Sequence, residues 1–193
     1  DLLRMTREKA DEMKLPMATH AAYSIVEFYE TVREYRRTPI ELLAELDMLR
    51  PTMNIGHGNL PADSVRLNYP GARDLKLMGE AGVTISHCPI NIIRRARVLD
   101  NWRRYTELGI NITLGSDTYP RDVILNMRTA SYHGKVMSHD YKSATAADVF
   151  SAATLNAAKS VGRDDLGRLV PGARADIILI DLENPSRDVL EAM

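Results

Sequence analysis

Apolar residues along this chain alternate between two rhythms. Leu2, Met5, the Lys9 stem and Met13 sit at helical spacing and predict a surface helix over residues 1–15. A short apolar run, Met17-Ala18-Thr19, then ends in His20. Helical spacing returns over residues 24–37 with Ile25, Val26, Phe28, Tyr29, Val32 and Tyr35. Thr38-Pro39 opens a shorter helix, because proline at the first helical position forfeits no hydrogen bond and its φ is already helical. Leu42, Leu43, Leu46 and Leu49 line the buried face of that helix, and Pro51 stops it before a strand from Met53 to His57.

The same sentence is then repeated. A loop at Pro61-Ala62-Asp63-Ser64 leads to a helix from Asp74 to Glu80, a stop at Gly82 and a strand from Val83 to His87. Val98, Trp102, Tyr105 and Leu108 form one stripe of a helix over 98–108, Gly109 ends it, and strand Ile110 to Leu114 leads to Asp117. Glu80-Ala81-Gly82-Val83 and Glu107-Leu108-Gly109-Ile110 are near-copies of one helix–glycine–strand junction. Beyond Asp117 the pattern predicts a helix over 121–137. A capping box at Thr145-Ala146-Ala147-Asp148 opens an alanine-rich helix to about Val161. The Pro171-Gly172 turn and a strand from Asp176 to Leu182 suggest a hairpin.

His20, His57, His87 and Asp117 thus close four successive strands, roughly 30 to 37 residues apart, about the length of one strand–helix–strand unit. This predicts an α/β fold: the second half of a TIM-type β/α barrel over residues 1–165, with its chemistry on the face where the strands end, then the start of a small β element over 166–193. Eight units close such a barrel, so the chain is expected to be part of a longer protein.

With 193 residues, the chain is long enough for one domain with a sizeable core. Its net charge of −1 gives no global attraction to nucleic acid, and no run approaches the ~18 apolar residues of a membrane span. The N-terminal residues lack the pattern of a signal peptide, and the single cysteine, Cys88, permits no internal disulfide, so a cytoplasmic setting is expected. A cysteine-built zinc site is excluded by count, which leaves imidazole and carboxylate as metal ligands. His20, His57 and Asp117 suit zinc, and also iron or manganese. Each has a plainer explanation alone: a histidine at a strand end is commonly held in structural hydrogen bonds, and Asp117 could cap the next helix. The matched spacing is what favours a shared ion.

Thr19-His20-Ala21-Ala22, Gly56-His57-Gly58, Ser86-His87-Cys88-Pro89-Ile90-Asn91 and Leu114-Gly115-Ser116-Asp117-Thr118 occur in an order that resembles the amidohydrolase superfamily. They look most like its cytosine-deaminase and triazine-hydrolase branch. Ala153 to Ala158, Gly167-Arg168-Leu169, Pro171-Gly172 and Ala175-Asp176 are similar to the segment that joins that barrel to its small β domain. The resemblance implies a metal-dependent hydrolase of carbon–nitrogen bonds other than peptide bonds, with hydrolytic dechlorination as an alternative. It implies a small-molecule substrate and, we expect, a homo-oligomer. It makes His20 a metal ligand from the fifth barrel strand, and His57 a sixth-strand group facing water and substrate or a second ligand. Asp117 becomes ligand and proton shuttle, and His87 a supporting residue at the substrate.

Two departures stand out. The family's first-strand His-x-His pair is absent from these residues and is expected upstream. The glutamate that many deaminases of the branch carry three residues after the fifth-strand histidine is Tyr23 here, with Glu27 one turn further along. Tyr23, Tyr119 and Arg94 are expected to face substrate, with Arg94 or Arg95 on a loop able to clamp a carboxylate. Cys88 reads as buried packing, and His133 and His139 as surface residues. Two competing readings are a metal-free barrel for phosphorylated metabolites, which the absence of a glycine-rich loop after Cys88 or Thr118 disfavours, and a non-catalytic scaffold.

Overall fold

The structure, a computed structural model, describes residues 2–67 and 69–180. Four parallel strands, β1 (Met17–Ala21), β2 (Met53–His57), β3 (Thr84–His87) and β4 (Asn111–Leu114), lie side by side in chain order. Helices connect and cover them: α1 (Leu2–Met13), α2 (Ile25–Tyr35), α3 (Pro39–Glu45), α4 (Asp74–Glu80), α5 (Pro89–Ile93), α6 (Trp102–Glu107), α7 (Val123–Ser138), α8 (Ala146–Ala153) and α9 (Leu155–Ser160). This is half of the eight-unit barrel. Among the described residues no helix is long and apolar enough to cross a membrane.

The sheet has two unlike faces. Met17, Met53, Ile55, Ile85 and Ile112 are buried against the helices, in one core with Ile40, Leu43, Met78, Trp102 and Tyr105. Ala18, His20, Asn54, Gly56 and Ser86 alternate with them and are exposed or half-buried. The Ser86 hydroxyl bonds Asn54 Oδ1 at 2.8 Å and meets Thr113 Oγ1 at 3.3 Å, which links three neighbouring strands across that polar face. The side-chain period of two therefore separates core from site.

Caps set the helix starts, at Thr38 and Thr145 as the sequence predicts and at Ser24 in addition. Ser24 and Glu27 form a reciprocal capping box on α2, Thr38 and Glu41 on α3, and Thr145 and Asp148 on α8. Gly82 and Gly109 hold φ of +64° and +84° at the turns into β3 and β4, values that carry a steric penalty for any other residue.

One expectation is corrected. The alanine-rich helix to Val161 is two helices broken at Thr154, whose ψ of −87° leaves the helical region. The reason is tertiary: Asn156 donates to the Ile112 carbonyl at 3.1 Å and its own carbonyl accepts from Asn111 at 3.1 Å, which anchors α9 to β4 on its own axis. Pro89–Ile93, to which the sequence pattern assigns no element, is the short helix α5, with Pro89 in its first turn. Residues 174–180 of the expected hairpin carry no assigned strand, and Asp181 and Leu182 lie outside the described residues, so the hairpin stays an expectation.

Candidate active site

Parallel register places His20 beside Gly56, and Ala21 beside His57, at the C-terminal ends of β1 and β2. The His20 and His57 rings stack with centroids 5.2 Å apart and planes 15° from parallel. His57 Nε2 stands 3.8 Å from Asp117 Oδ2, in electrostatic contact and beyond hydrogen-bond length. The sequence-predicted trio is therefore adjacent in sequence of contact: His20 to His57 to Asp117. Asp117 is not the cap of the next helix; Asp122 performs that role for α7.

The tips are bent to present these groups. His57 has φ of +70° and Asp117 +57°, both left-handed conformations that are costly for non-glycine residues and concentrate at functional positions. The turn after His57 is held from beneath: Tyr105 donates its buried hydroxyl to the Gly58 carbonyl at 2.8 Å, and Leu60 N–H donates to the Ala22 carbonyl at 2.7 Å. Gly115 N–H donates to the His87 carbonyl at 2.9 Å and joins the tips of β3 and β4.

Burial is the main force lowering the His57 pKa; Asp117 opposes it, and His20, Arg95 and Arg97 add to it. A neutral imidazole at physiological pH follows, which is the form that ligates metal or accepts a proton. Its Nδ1 is buried without a hydrogen-bond partner. His20 and Asp117 are both exposed.

Tyr23 completes the row on the other side. Its ring centroid lies 4.3 Å from that of His57, and the Arg97 guanidinium carbon lies 4.5 Å over the Tyr23 ring. Arg97 also donates to the Tyr23 carbonyl at 3.3 Å. Glu27, one turn on, is not free to replace the missing glutamate. Its carboxylate accepts the backbone N–H groups of Ala22 at 2.9 Å, Tyr23 at 2.8 Å and Ser24 at 3.2 Å.

The remaining expected residues scatter. His87 is buried, with its pKa pushed down to about 3 mainly by burial, and its Nδ1 lacks a partner. It lines a narrow cavity with Trp102, Arg97 and His133, so His133 is half-buried and not the surface residue expected. Tyr119 is 84% exposed, and its carbonyl accepts from Arg94 Nη1 at 2.5 Å. Arg94 is the C-cap of α5 and, with Arg95, lies in the turn that follows that helix. Burial raises the Cys88 thiol to about 12, which suits packing and disqualifies it as a nucleophile. Arg97 was missed as an individual because its partner Tyr23 is 74 residues away in sequence; the only sequence signal was its membership of an arginine cluster.

Imidazole and carboxylate are the right kind of donors for a divalent ion. Among the described residues, no three His, Cys, Asp or Glu side chains lie close enough together to hold one. The donors fit in chemistry and fall short in number.

The family model for the amidohydrolase family matches residues 1–193. The chain belongs to the amidohydrolase family. Among curated relatives, it is 31% identical over 189 residues to a 5'-deoxyadenosine deaminase of Methanothermobacter thermautotrophicus, covering 96% of this chain and 42% of the relative. It is 27% identical over 180 residues to a 5-methylthioadenosine/S-adenosylhomocysteine deaminase of Teredinibacter turnerae, covering 91% and 39%. Among solved structures, an adenosine deaminase of Xanthomonas campestris with bound zinc matches with a TM-score of 0.79 at 23% identity, covering 90% of this chain and 39% of that one. An atrazine chlorohydrolase of Arthrobacter aurescens, complexed with zinc, matches at 0.73 and 21% identity, covering 86% and 36%. These likenesses establish the partial barrel. This amidohydrolase chain spans about two fifths of the length of the curated relatives it matches.

Proposed function

We propose that the protein to which this chain belongs is a metal-dependent hydrolase of carbon–nitrogen bonds other than peptide bonds, of the deaminase kind. The observation that carries this reading is a buried, neutral His57 placed 3.8 Å from Asp117 and stacked on His20 at the strand tips. The deaminase names of the curated relatives support it.

His20, Asp117 and His57 supply the donor types for a zinc, iron or manganese ion; as they stand they are not gathered closely enough to hold one by themselves, so the site would need further ligands from outside this set. Such an ion lowers the pKa of a bound water toward ~7. Asp117 takes a proton from the attacking water as its oxygen bonds to the substrate carbon. As the carbon–nitrogen bond breaks, Asp117 returns that proton to the leaving nitrogen. Neutral His57 hydrogen-bonds the oxygen that gains negative charge. Tyr23 packs on His57 at this centre, and His87, Tyr119 and Arg94 are the further residues proposed to face substrate. Hydrolysis of a carbon–chlorine bond is a second reading, favoured by the commitment of Glu27 to backbone N–H groups, which removes it as a donor to a ring nitrogen.

We assign residues 1–165 to the barrel and 166–193 to the start of a small β element, and infer a homo-oligomeric cytoplasmic enzyme. The test is metal analysis of the full-length protein together with an ammonia- and chloride-release screen over amidine, amide, urea and chlorinated ring compounds. Asp117→Asn is expected to cut turnover by about a hundredfold or more while part of the metal stays bound. Full-length protein without stoichiometric divalent metal, or an Asp117→Asn variant with normal turnover, would overturn this reading.

A further inference from the structure

Arg94, Arg95 and Arg97 leave the C-terminal end of α5 beside the site, and among the described residues none of them pairs with a carboxylate. Their contacts are neutral. Arg94 donates to the Tyr119 carbonyl, Arg95 to Asn91, and Arg97 to the Tyr23 carbonyl. By contrast Arg103, further along the same segment, is held between Glu107 and Asp140.

Arg97 is the best placed of the three. Its guanidinium lies 4.5 Å from the centre of the Tyr23 ring, and that ring lies 4.3 Å from the ring of His57. It lines the narrow cavity with Ile93, Val98 and Trp102. Stacking and packing fix the plane of the fork before any ligand arrives, which lowers the entropy lost on binding. One of its five N–H groups is used by the Tyr23 carbonyl among the described contacts. The remaining donors form a charged fork one ring away from His57.

We propose that this site takes a substrate bearing an anionic oxygen group, a carboxylate or a phosphate ester, which Arg97 holds by charge-assisted hydrogen bonds, its guanidinium oriented by the Tyr23 ring beneath it. The proposal rests on the strand-tip site being the substrate site and names its substrate class. A guanidinium matches either oxyanion in a two-bond fork. The arrangement also explains why a tyrosine stands at position 23: a carboxylate there would pair with Arg97 and cancel the charge that the substrate needs.

The test is equilibrium binding to the full-length protein of three probes with one ring and different substituents: benzoate, phenyl phosphate and neutral benzyl alcohol. Wild type is expected to bind at least one of the two anions about tenfold or more tightly than the alcohol, and the stronger anion identifies the source. Arg97→Gln is expected to lower that ratio by about tenfold, the loss of one charge-assisted contact. Arg73→Gln removes an exposed charge paired with Glu41, away from the site, and is expected to leave the ratio unchanged. Equal binding of all three probes, a ratio that survives Arg97→Gln, or an equal fall in Arg73→Gln would overturn the proposal. Binding is read without turnover, so failure of the hydrolase reading appears separately, in the metal and product-release measurements.

Discussion

Gly56 and His20 are register partners across β1 and β2, and the His20 ring occupies the space that a side chain at position 56 would need. A Cβ at Gly56 would stand 2.6 Å from His20 Cδ2 and 3.3 Å from Nε2. Gly56→Ala must therefore swing the imidazole off its stack on His57. Because the ring is exposed and flexible, the fold can absorb this, whereas the site cannot. The expected result is a loss of about a hundredfold in kcat/KM, the cost of a displacement near 1 Å at a catalytic group, with Tm nearly unchanged. An active Gly56→Ala enzyme would show that the position of His20 is not critical.

Glu27 separates a structural role from a catalytic one. Three backbone N–H groups converge on its carboxylate at the mouth of the site. Glu27→Gln keeps the shape but replaces one accepting oxygen by a donor that faces N–H groups. The expected cost is about 1–2 kcal/mol of stability, seen as a lower urea midpoint, with a modest fall in turnover. A proton donor would behave in the opposite way: turnover would vanish at unchanged stability.

Asp74 gives the fold a pH dependence. It is fully buried at the start of α4, accepting from the Thr38 hydroxyl at 2.6 Å and Ala62 N–H at 2.8 Å. Burial is the largest influence and raises its pKa from 3.8 to about 6. The folded state then binds this proton more tightly than the unfolded state. Its contribution is most favourable below the unfolded pKa near 3.8, is lost as pH rises through about 6, and is constant above that. The shift corresponds to at most about 3 kcal/mol. Asp74→Asn can keep both hydrogen bonds, since the Thr38 hydroxyl can accept as well as donate. Denaturant unfolding from pH 4 to 7 is expected to show wild type losing stability relative to Asp74→Asn as pH rises. Parallel curves would refute the assignment.

Sequence reading recovered what is local. The helix start at Thr38-Pro39, the capping box Thr145–Asp148, the glycine stops at 82 and 109 and the polar strand tips all act within a few residues of themselves, and the structure keeps them, whereas the Ser24–Glu27 box, equally local, was passed over. The strand tips also located His20, His57 and Asp117, because a parallel sheet brings successive strand ends to one edge. Long-range contacts were not legible. The break at Thr154 comes from Asn156 bonding to β4, 44 residues earlier. The Arg97–Tyr23 stack joins residues 74 apart. Burial of Asp74 depends on Thr38, 36 residues away. The helix at Pro89–Ile93 carried a proline start signal, but its β-branched isoleucines and five-residue length gave no helical period to see.

The contact between α7 and the segment before α8 supplies a cycle that separates packing from helix propensity. A Cβ on Gly134 would lie 2.4 Å from Ala144 Cβ, closer than two carbons can approach, and both residues are buried. Propensity alone makes Gly134→Ala stabilising by up to about 1 kcal/mol inside a helix. Overpacking costs about 1–3 kcal/mol and should dominate, because Ala144 sits on backbone tied down by Ser131 and Lys135, both of which donate to its carbonyl. Gly134→Ala is therefore expected to lower Tm. Ala144→Gly added to it removes the clash and suits the φ of +46° at position 144, so the double variant should regain most of the loss. Additive effects of the two changes in denaturant unfolding would mean that these two carbons do not meet in the folded protein.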